Sequence, residues 1–241
     1  MIDTRNGTAY PAGRAPKLSA IVCVRNGERF LERCFRSIER QDVAPDDCVL
    51  VDGGSTDGTL EIARRFAQWR IVEQTGRGIA DAYNCGVGAA TGDLIAFLSH
   101  DDEWTEGSVR MRRDYLLSHP ELDFVLARAM SRLEPGHQPP PGFRVELLGR
   151  EHAGAMETLM ARRRAFEKAG PFDSRYSTGE DLDWLARAKD LGLKSAEVPY
   201  LSVIKYIHDA NTSLHEAKND QNLLRLAHES IRRKERIAER R

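Results

Sequence analysis

The sequence predicts an α/β fold in a single domain, a Rossmann-like and mostly parallel sheet flanked by helices. Three observations predict it. From Leu18 onward, short apolar runs alternate with segments of helical period, the pattern of successive βαβ units. The 241 residues, 41% of them hydrophobic, suffice for one sizeable core, and no repeat or low-complexity block breaks the chain. The later segments lose the regular alternation without becoming self-sufficient, so they read as additions to the same sheet.

Residues 1–17, rich in Gly, Pro, Arg and Thr, carry no apolar period and are expected to be poorly ordered. The first strand is expected at Leu18 to Val24. Phe30, Leu31, Cys34, Phe35 and Ile38 then recur at helical spacing, with Asn26 and Gly27 placed to start the helix. A second strand, Asp47 to Asp52, is followed by Leu60, Ala63 and Ala67 on another helix. A third strand spans Arg70 to Glu73, a helix Ile79 to Ala90, and a fourth strand Asp93 to Ser99. Beyond these, a helix is expected at Thr105 to His119 and a strand at Asp123 to Ala129. The stretch Glu134 to Gly142, with four prolines and two glycines, reads as a loop. A helix opens at Glu180 and runs to Leu191, Leu201 to Ile207 is strand-like, and Leu223 to Arg241 is a basic amphipathic helix. The expected organisation is a domain at residues 18–213 and a helical tail at 214–241.

Charge narrows the function classes. Lys and Arg total 36 against 37 for Asp and Glu, so no global field recruits nucleic acid, and a phosphate ligand has to be held locally. Cys23, Cys34, Cys48 and Cys85 form no C-x-x-C pair and read as reduced core residues of a cytoplasmic protein. No run has the length of a spanning helix, and residues 1–17 lack a signal peptide's apolar stretch. The tail leaves open a peripheral contact at the inner membrane face, although Glu229, Glu235 and Glu239 dilute its charge. A homodimer is also left open. The Arg162-Arg163-Arg164 run reads as a solvated helix face.

Candidate chemistry collects where strands end. Val24-Arg25-Asn26-Gly27 follows the first strand and Asp52-Gly53-Gly54-Ser55-Thr56-Asp57-Gly58-Thr59 the second, the edge of an open parallel sheet where ligands bind. Asp52 either accepts hydrogen bonds from a base or ribose or shapes a turn with a helix cap. No G-x-G-x-x-G or G-K-[ST] signature occurs, which argues against dinucleotide enzymes and P-loop ATPases. After the fourth strand come His100-Asp101-Asp102-Glu103-Trp104. Adjacent acids at the end of an apolar strand repel unless a cation compensates, and a divalent ion bridging two phosphates is the natural one. The structural alternative is that Asp102 or Thr105 caps the next helix. Glu180-Asp181-Leu182-Asp183 opens a helix whose macrodipole would by itself favour acids there, and His208 alone reads as structural before it reads as a ligand. Arg77 is a phosphate contact or a solvated loop charge. His152 meets a substrate or is a satisfied structural histidine.

Taken in this order, the segments resemble the inverting glycosyltransferases of family 2 with the GT-A fold, from about Leu18 to Ser213. The most specific stretch is Gly78-Ile79-Ala80-Asp81-Ala82-Tyr83-Asn84-Cys85-Gly86-Val87, followed by Ala90-Thr91-Gly92-Asp93-Leu94-Ile95-Ala96-Phe97-Leu98. It is similar to members acting in exopolysaccharide and capsule assembly, as is Asp52 to Thr59. The resemblance implies that Val24, Arg25, Asn26 and Asp52 line a nucleoside pocket, with Asp81 beneath the base, Asp101 near the ribose and Arg77 beside them. It implies Asp102 as ligand of a Mn2+ or Mg2+ ion that holds the diphosphate, with His208 completing the metal site. His100 stands where the family's acidic triplet has its first Asp. Asp181 resembles the catalytic base, and Glu180 beside it is expected to raise its pKa by like-charge repulsion. The implied partners are a nucleotide-diphosphate sugar, UDP-type first, and a glycan, lipid-linked or other hydroxyl acceptor.

Two rivals belong to other classes. A sugar nucleotidyltransferase needs a Gly-rich, basic loop after the first strand, and Arg25-Asn26-Gly27 is too poor for it. A degenerate, non-catalytic sugar-nucleotide binder is kept alive by His100 and opposed by the retention of Asp102, Glu180 and Asp181.

Overall fold

The central strands are buried along nearly their whole length, and their alternate residues join two different cores, so each face of the sheet takes its own helices. The computed structural model describes residues 14–141, 143–209, 211 and 216–238, with side chains in the last helix described from 225 to 236. The disorder expected of residues 1–13, the loop end at Gly142, the domain end at Thr212 and Ser213 and the last three residues of the tail lie outside them. Residues 14–17 form no regular element and are tied down by Arg14, 2.8 Å from Asp93.

The first half runs β1 (Leu18–Val24), α1 (Leu31–Glu39), β2 (Asp47–Asp52), α2 (Thr59–Arg64), β3 (Trp69–Glu73), α3 (Gly78–Ala89) and β4 (Leu94–Ser99). The second runs β5 (Glu103–Trp104), α4 (Ser108–Ser118), β6 (Phe124–Leu133), β7 (Glu151–Ala153), β8 (Met160–Arg162), α5 (Arg163–Ala169), α6 (Glu180–Asp190), β9 (Ser195–Ile207) and α7 (Glu216–Ala238). The strands join in one sheet in the order β3-β2-β1-β4-β8-β6-β9-β5, with β7 paired on β6. The long pairings of β1 with β2 and β4, of β2 with β3 and of β6 with β9 are parallel; the short pairings that stitch β8, β7 and β5 into the sheet are antiparallel. The second half therefore extends the first half's sheet, as the weakened alternation predicts.

Leu18, Ala20, Val22 and Val24 of β1 face a core shared with Leu31, Phe35 and Ile38 of α1, while Ile21 and Cys23 face one shared with Ala80 and Ala82 of α3. Phe35 stacks on Trp69 at 3.8 Å between centroids, which anchors α1 to the edge strand. On the other face, Phe97, Phe166, Phe172 and Trp184 close the space beneath α5 and α6. Gly86 lets α3 lie close: a Cβ there would stand 2.5 Å from Ile21 Cγ2. No described helix is long and apolar enough to cross a membrane.

Three expectations are corrected. α1 starts at Leu31 rather than at Asn26-Gly27, because Asn26 takes φ 55° and the chain first makes a turn whose amides at Phe30 and Leu31 donate to the Gly27 carbonyl. α2 ends at Arg64, so Ala67 lies beyond it and Phe66 fills the buried position. The Arg162-Arg163-Arg164 run is no solvated face: Arg162 donates to the carbonyls of Leu116 and Leu122, Arg163 to those of Ala90 and Gly92, and Arg164 to Asp123. Carbonyls left over at helix ends need donors, and these guanidiniums supply them. The tail helix starts at Glu216 and docks on α6, where Ser230 and Arg233 donate to Asp190 at 2.8 and 3.1 Å.

Candidate functional site

The register brings three strand ends level. Val24 pairs with Asp52 and Cys23 with Ser99, so the β1–α1 loop, the β2–α2 loop and the His100-Asp101-Asp102 segment open on one edge of the sheet. In the first two loops the polar side chains mostly bind backbone. Asn26 accepts from the Thr56 amide at 2.8 Å and its own amide donates to Ser55 Oγ at 2.9 Å. Asp52, 6% exposed, accepts from the amides of Gly54 and Ser55 at 3.1 and 3.2 Å. Gly27 sits where a Cβ would meet Val24 Cγ2 at 2.4 Å and His100 Cδ2 at 2.7 Å, so only glycine permits this approach of the loop to His100. Asp81, in the first turn of α3, accepts from the Gly76 amide at 2.8 Å and fixes the preceding loop. Arg25 and Arg77 are exposed at the same edge.

Past β4, Asp101 meets His208. Asp101 Oδ2 lies 3.1 Å from His208 Nε2 and from Asn211 Nδ2, and His208 stacks on Phe30 at 4.6 Å between centroids. Burial opposes the ionisation of Asp101, but the His208 hydrogen bond and the nearby charge of His100 outweigh it and bring its pKa down to about 2. Asp102 has other partners. Its Oδ1 accepts from the Tyr206 amide at 3.0 Å and its Oδ2 lies 3.9 Å from Lys205 Nζ. Burial, with Asp101's charge added, holds the Asp102 carboxyl well above the usual carboxylate range despite Lys205. Among the described residues no three His, Cys, Asp or Glu side chains are arranged to hold a metal ion. Two donors nonetheless converge, and a carboxylate beside an imidazole is a donor pair that Mn2+ accepts, with Asp102 adjacent in sequence.

The opposite wall comes from the second half. Glu180 and Asp181 open α6, whose approach is set by Asn84: its amide pairs in both directions with the backbone of Phe172, at 2.8 and 2.9 Å. Trp184, fully buried, donates to the Gly170 carbonyl and locks the same loop. Burial first, then the charge of Asp181, pushes Glu180 up to about 7. That rise from 4.5 corresponds to roughly 3 kcal/mol, more than the ~0.3–1 kcal/mol by which a helix N-terminus favours an acid, so here burial wins over the macrodipole. Among the described residues, the buried Glu180 Oε2 has no hydrogen-bond partner. Asp181 is also raised, by burial and then by Glu157, while the repulsion expected between Glu180 and Asp181 is present in the rise of Glu180.

Glu157 and Lys205 were not singled out from the sequence. Glu157 lies in a 3-10 turn (Met156–Thr158) between β7 and β8, and Lys205 on β9; they form a close ion pair. His152, expected to meet a substrate or to be a satisfied structural histidine, bonds to Ser131 Oγ at 3.1 Å and to the Ala153 carbonyl, and it is Glu157 whose charge acts on Asp181. A lone Glu and a lone Lys without a motif gave no signal; only the fold brings them together.

Residues 19–167 match glycosyl transferase family 2. The chain is 33% identical over 179 residues to a PGL/p-HBAD biosynthesis glycosyltransferase of Mycobacterium bovis, covering 72% of this chain and 70% of that protein. It is 26% identical over 195 residues to the glycosyltransferase AglE of Haloferax volcanii, covering 73% and 62%. Among solved structures, S. aureus TarS 1-349 in complex with UDP-GlcNAc aligns with a TM-score of 0.65 at 19% identity, over 82% of this chain and 60% of that one. The mannosyltransferase PcManGT of Pyrobaculum calidifontis, in complex with GDP-Man and Mn2+, aligns with a TM-score of 0.68 at 21% identity, over 91% and 65%. The chain thus spans less than two thirds of either solved chain, and at these identities the likeness is one of fold, the GT-A fold.

Proposed function

The chain belongs to glycosyl transferase family 2, and from that membership we propose that it moves a sugar from a nucleoside-diphosphate donor, UDP-type first, to a hydroxyl of a glycan or lipid-linked acceptor, inverting the anomeric centre. The observation that carries the reading is Lys205, 3.9 Å from Asp102 just past β4, whose charge also acts on Asp101 and on Asp181 at the start of α6. The nucleotide sugars bound by TarS and PcManGT support a donor of this class.

In this reading the loops of Val24, Arg25, Asn26 and Asp52, with Asp81 and Arg77, receive the nucleoside. Asp181 takes the proton of the acceptor hydroxyl as its oxygen attacks the anomeric carbon, and the bond from that carbon to the diphosphate oxygen breaks. Its raised pKa makes it a stronger base than an exposed carboxylate. Glu180, up at about 7, stays largely protonated below neutrality and keeps a second negative charge away from the attacking oxygen. Asp101 and His208, with Asp102, are the residues that would hold Mn2+ or Mg2+, which when bound supplies positive charge to the leaving diphosphate.

A thermal-shift panel of UDP-, GDP- and dTDP-sugars, each with and without Mn2+, on wild type and Asp102→Ala tests the reading, since a ligand of the native state raises its apparent stability. A metal-dependent shift with one nucleotide, lost in the variant, is expected. No shift with any of them would contradict it.

A further inference from the structure

Lys205 is the cation around which this site is arranged. Its ammonium pairs with Glu157 and lies 3.9 Å from Asp102 Oδ2, and its charge also acts on Asp101 and Asp181. One account makes it a counter-charge for Glu157 and nothing more. Exposure argues otherwise. Lys205's side chain is 26% exposed against 12% for Glu157 and 3% for Asp102, so the least buried side chain of the trio is the lysine's. An ammonium has three donors; Glu157 takes one, and Asp102 stands beyond hydrogen-bond reach, so donors remain for a ligand. The ligand that a braced ammonium with donors to spare selects is an anion, and a lysine meets phosphate oxygens as a compact point charge.

We propose that Lys205 binds the diphosphate of the donor and stays on the departing nucleoside diphosphate, with Glu157 as the positioning residue that aims it. The proposal rests on the sugar-nucleotide reading above. A fixed ammonium opposite the oxygen that gains charge as the glycosidic bond breaks stabilises that charge without reorganisation. Asp102, held by the Tyr206 amide, limits the lysine from the other side.

The test is calorimetric titration of UDP, GDP and dTDP, alongside the matching nucleoside monophosphates, at constant Mn2+. The proteins are wild type, Lys205→Met, Glu157→Gln and the double variant. The double variant removes both charges of the pair, so a role confined to neutralising Glu157 predicts that it regains wild-type diphosphate affinity. The proposal expects Lys205→Met and the double variant alike to bind the diphosphate roughly tenfold to a hundredfold more weakly, with monophosphate affinity changed far less. Restored diphosphate affinity in the double variant overturns it. If the wild type binds none of the three diphosphates, the sugar-nucleotide reading itself fails, and this inference with it.

Discussion

The loops of the first half and the acids of the second use the same residue types to opposite ends. Asn26 hands its oxygen to a backbone amide of the neighbouring loop, and Asp52 and Asp81 hand theirs to amides beside them, so these side chains create shape. Asp102, just past β4, and Glu180 and Asp181, on the opposite wall, have too few partners to offset the burial that acts on them, and their carboxyls are all raised. A satisfied acid fixes the shape of a loop; a crowded acid keeps affinity for a proton. The difference fits the proposed division of the site, in which the first wall binds and the second reacts.

The comparison can be broken by substitution, beginning with the largest effect. Asp181→Asn should lower kcat by roughly 100-fold to 10,000-fold while leaving donor affinity and melting temperature near wild type, measured by nucleoside-diphosphate release and calorimetry. Weakened donor binding without loss of kcat would move Asp181 to the binding wall.

Glu180 sharpens the comparison through pH. Its folded pKa, about 7, exceeds the 4.5 of a free carboxyl, so the folded state binds the proton more tightly and loses stability as pH rises through that window. The loss approaches roughly 3 kcal/mol above pH 7. Glu180→Gln should therefore match the wild type near pH 5 and exceed it in urea denaturation at pH 8. Parallel stability curves would show that Glu180 is not raised.

On the binding wall the effects are smaller and structural. Asp52→Ala removes the acceptor for two amides at a 6% exposed position and should cost about 2 kcal/mol, with a higher KM for the donor and little change in kcat. Asn26→Gly relieves the φ of 55° but loses the bond to Thr56, so a net cost of about 1 kcal/mol is expected by chemical denaturation.

The parallel half was legible because its strands are continuous apolar runs closed by turn residues: the bounds of β1 and β2 fall where the pattern put them, and β3 and β4 differ by one residue. α1 was displaced because Asn26 serves the neighbouring loop, a pairing across thirty positions that local spacing does not encode. The arginine run looked solvated because a charge series carries no record of which carbonyls it will meet. In the site, acids in adjacent pairs were visible, since Asp101-Asp102 and Glu180-Asp181 stand out in one dimension. Glu157 and Lys205 did not, because their chemistry arises only when the turn after β7 and strand β9 meet.

The most direct measurement is a crystal structure of the Asp181→Asn protein with a nucleotide sugar and Mn2+ chosen by the thermal-shift panel. The account predicts the nucleoside against the Asn26, Asp52 and Asp81 loops and the anomeric carbon facing residue 181 across the Asp101–His208 pair. A donor bound on another face of the sheet, or with its anomeric carbon turned away from α6, would contradict it.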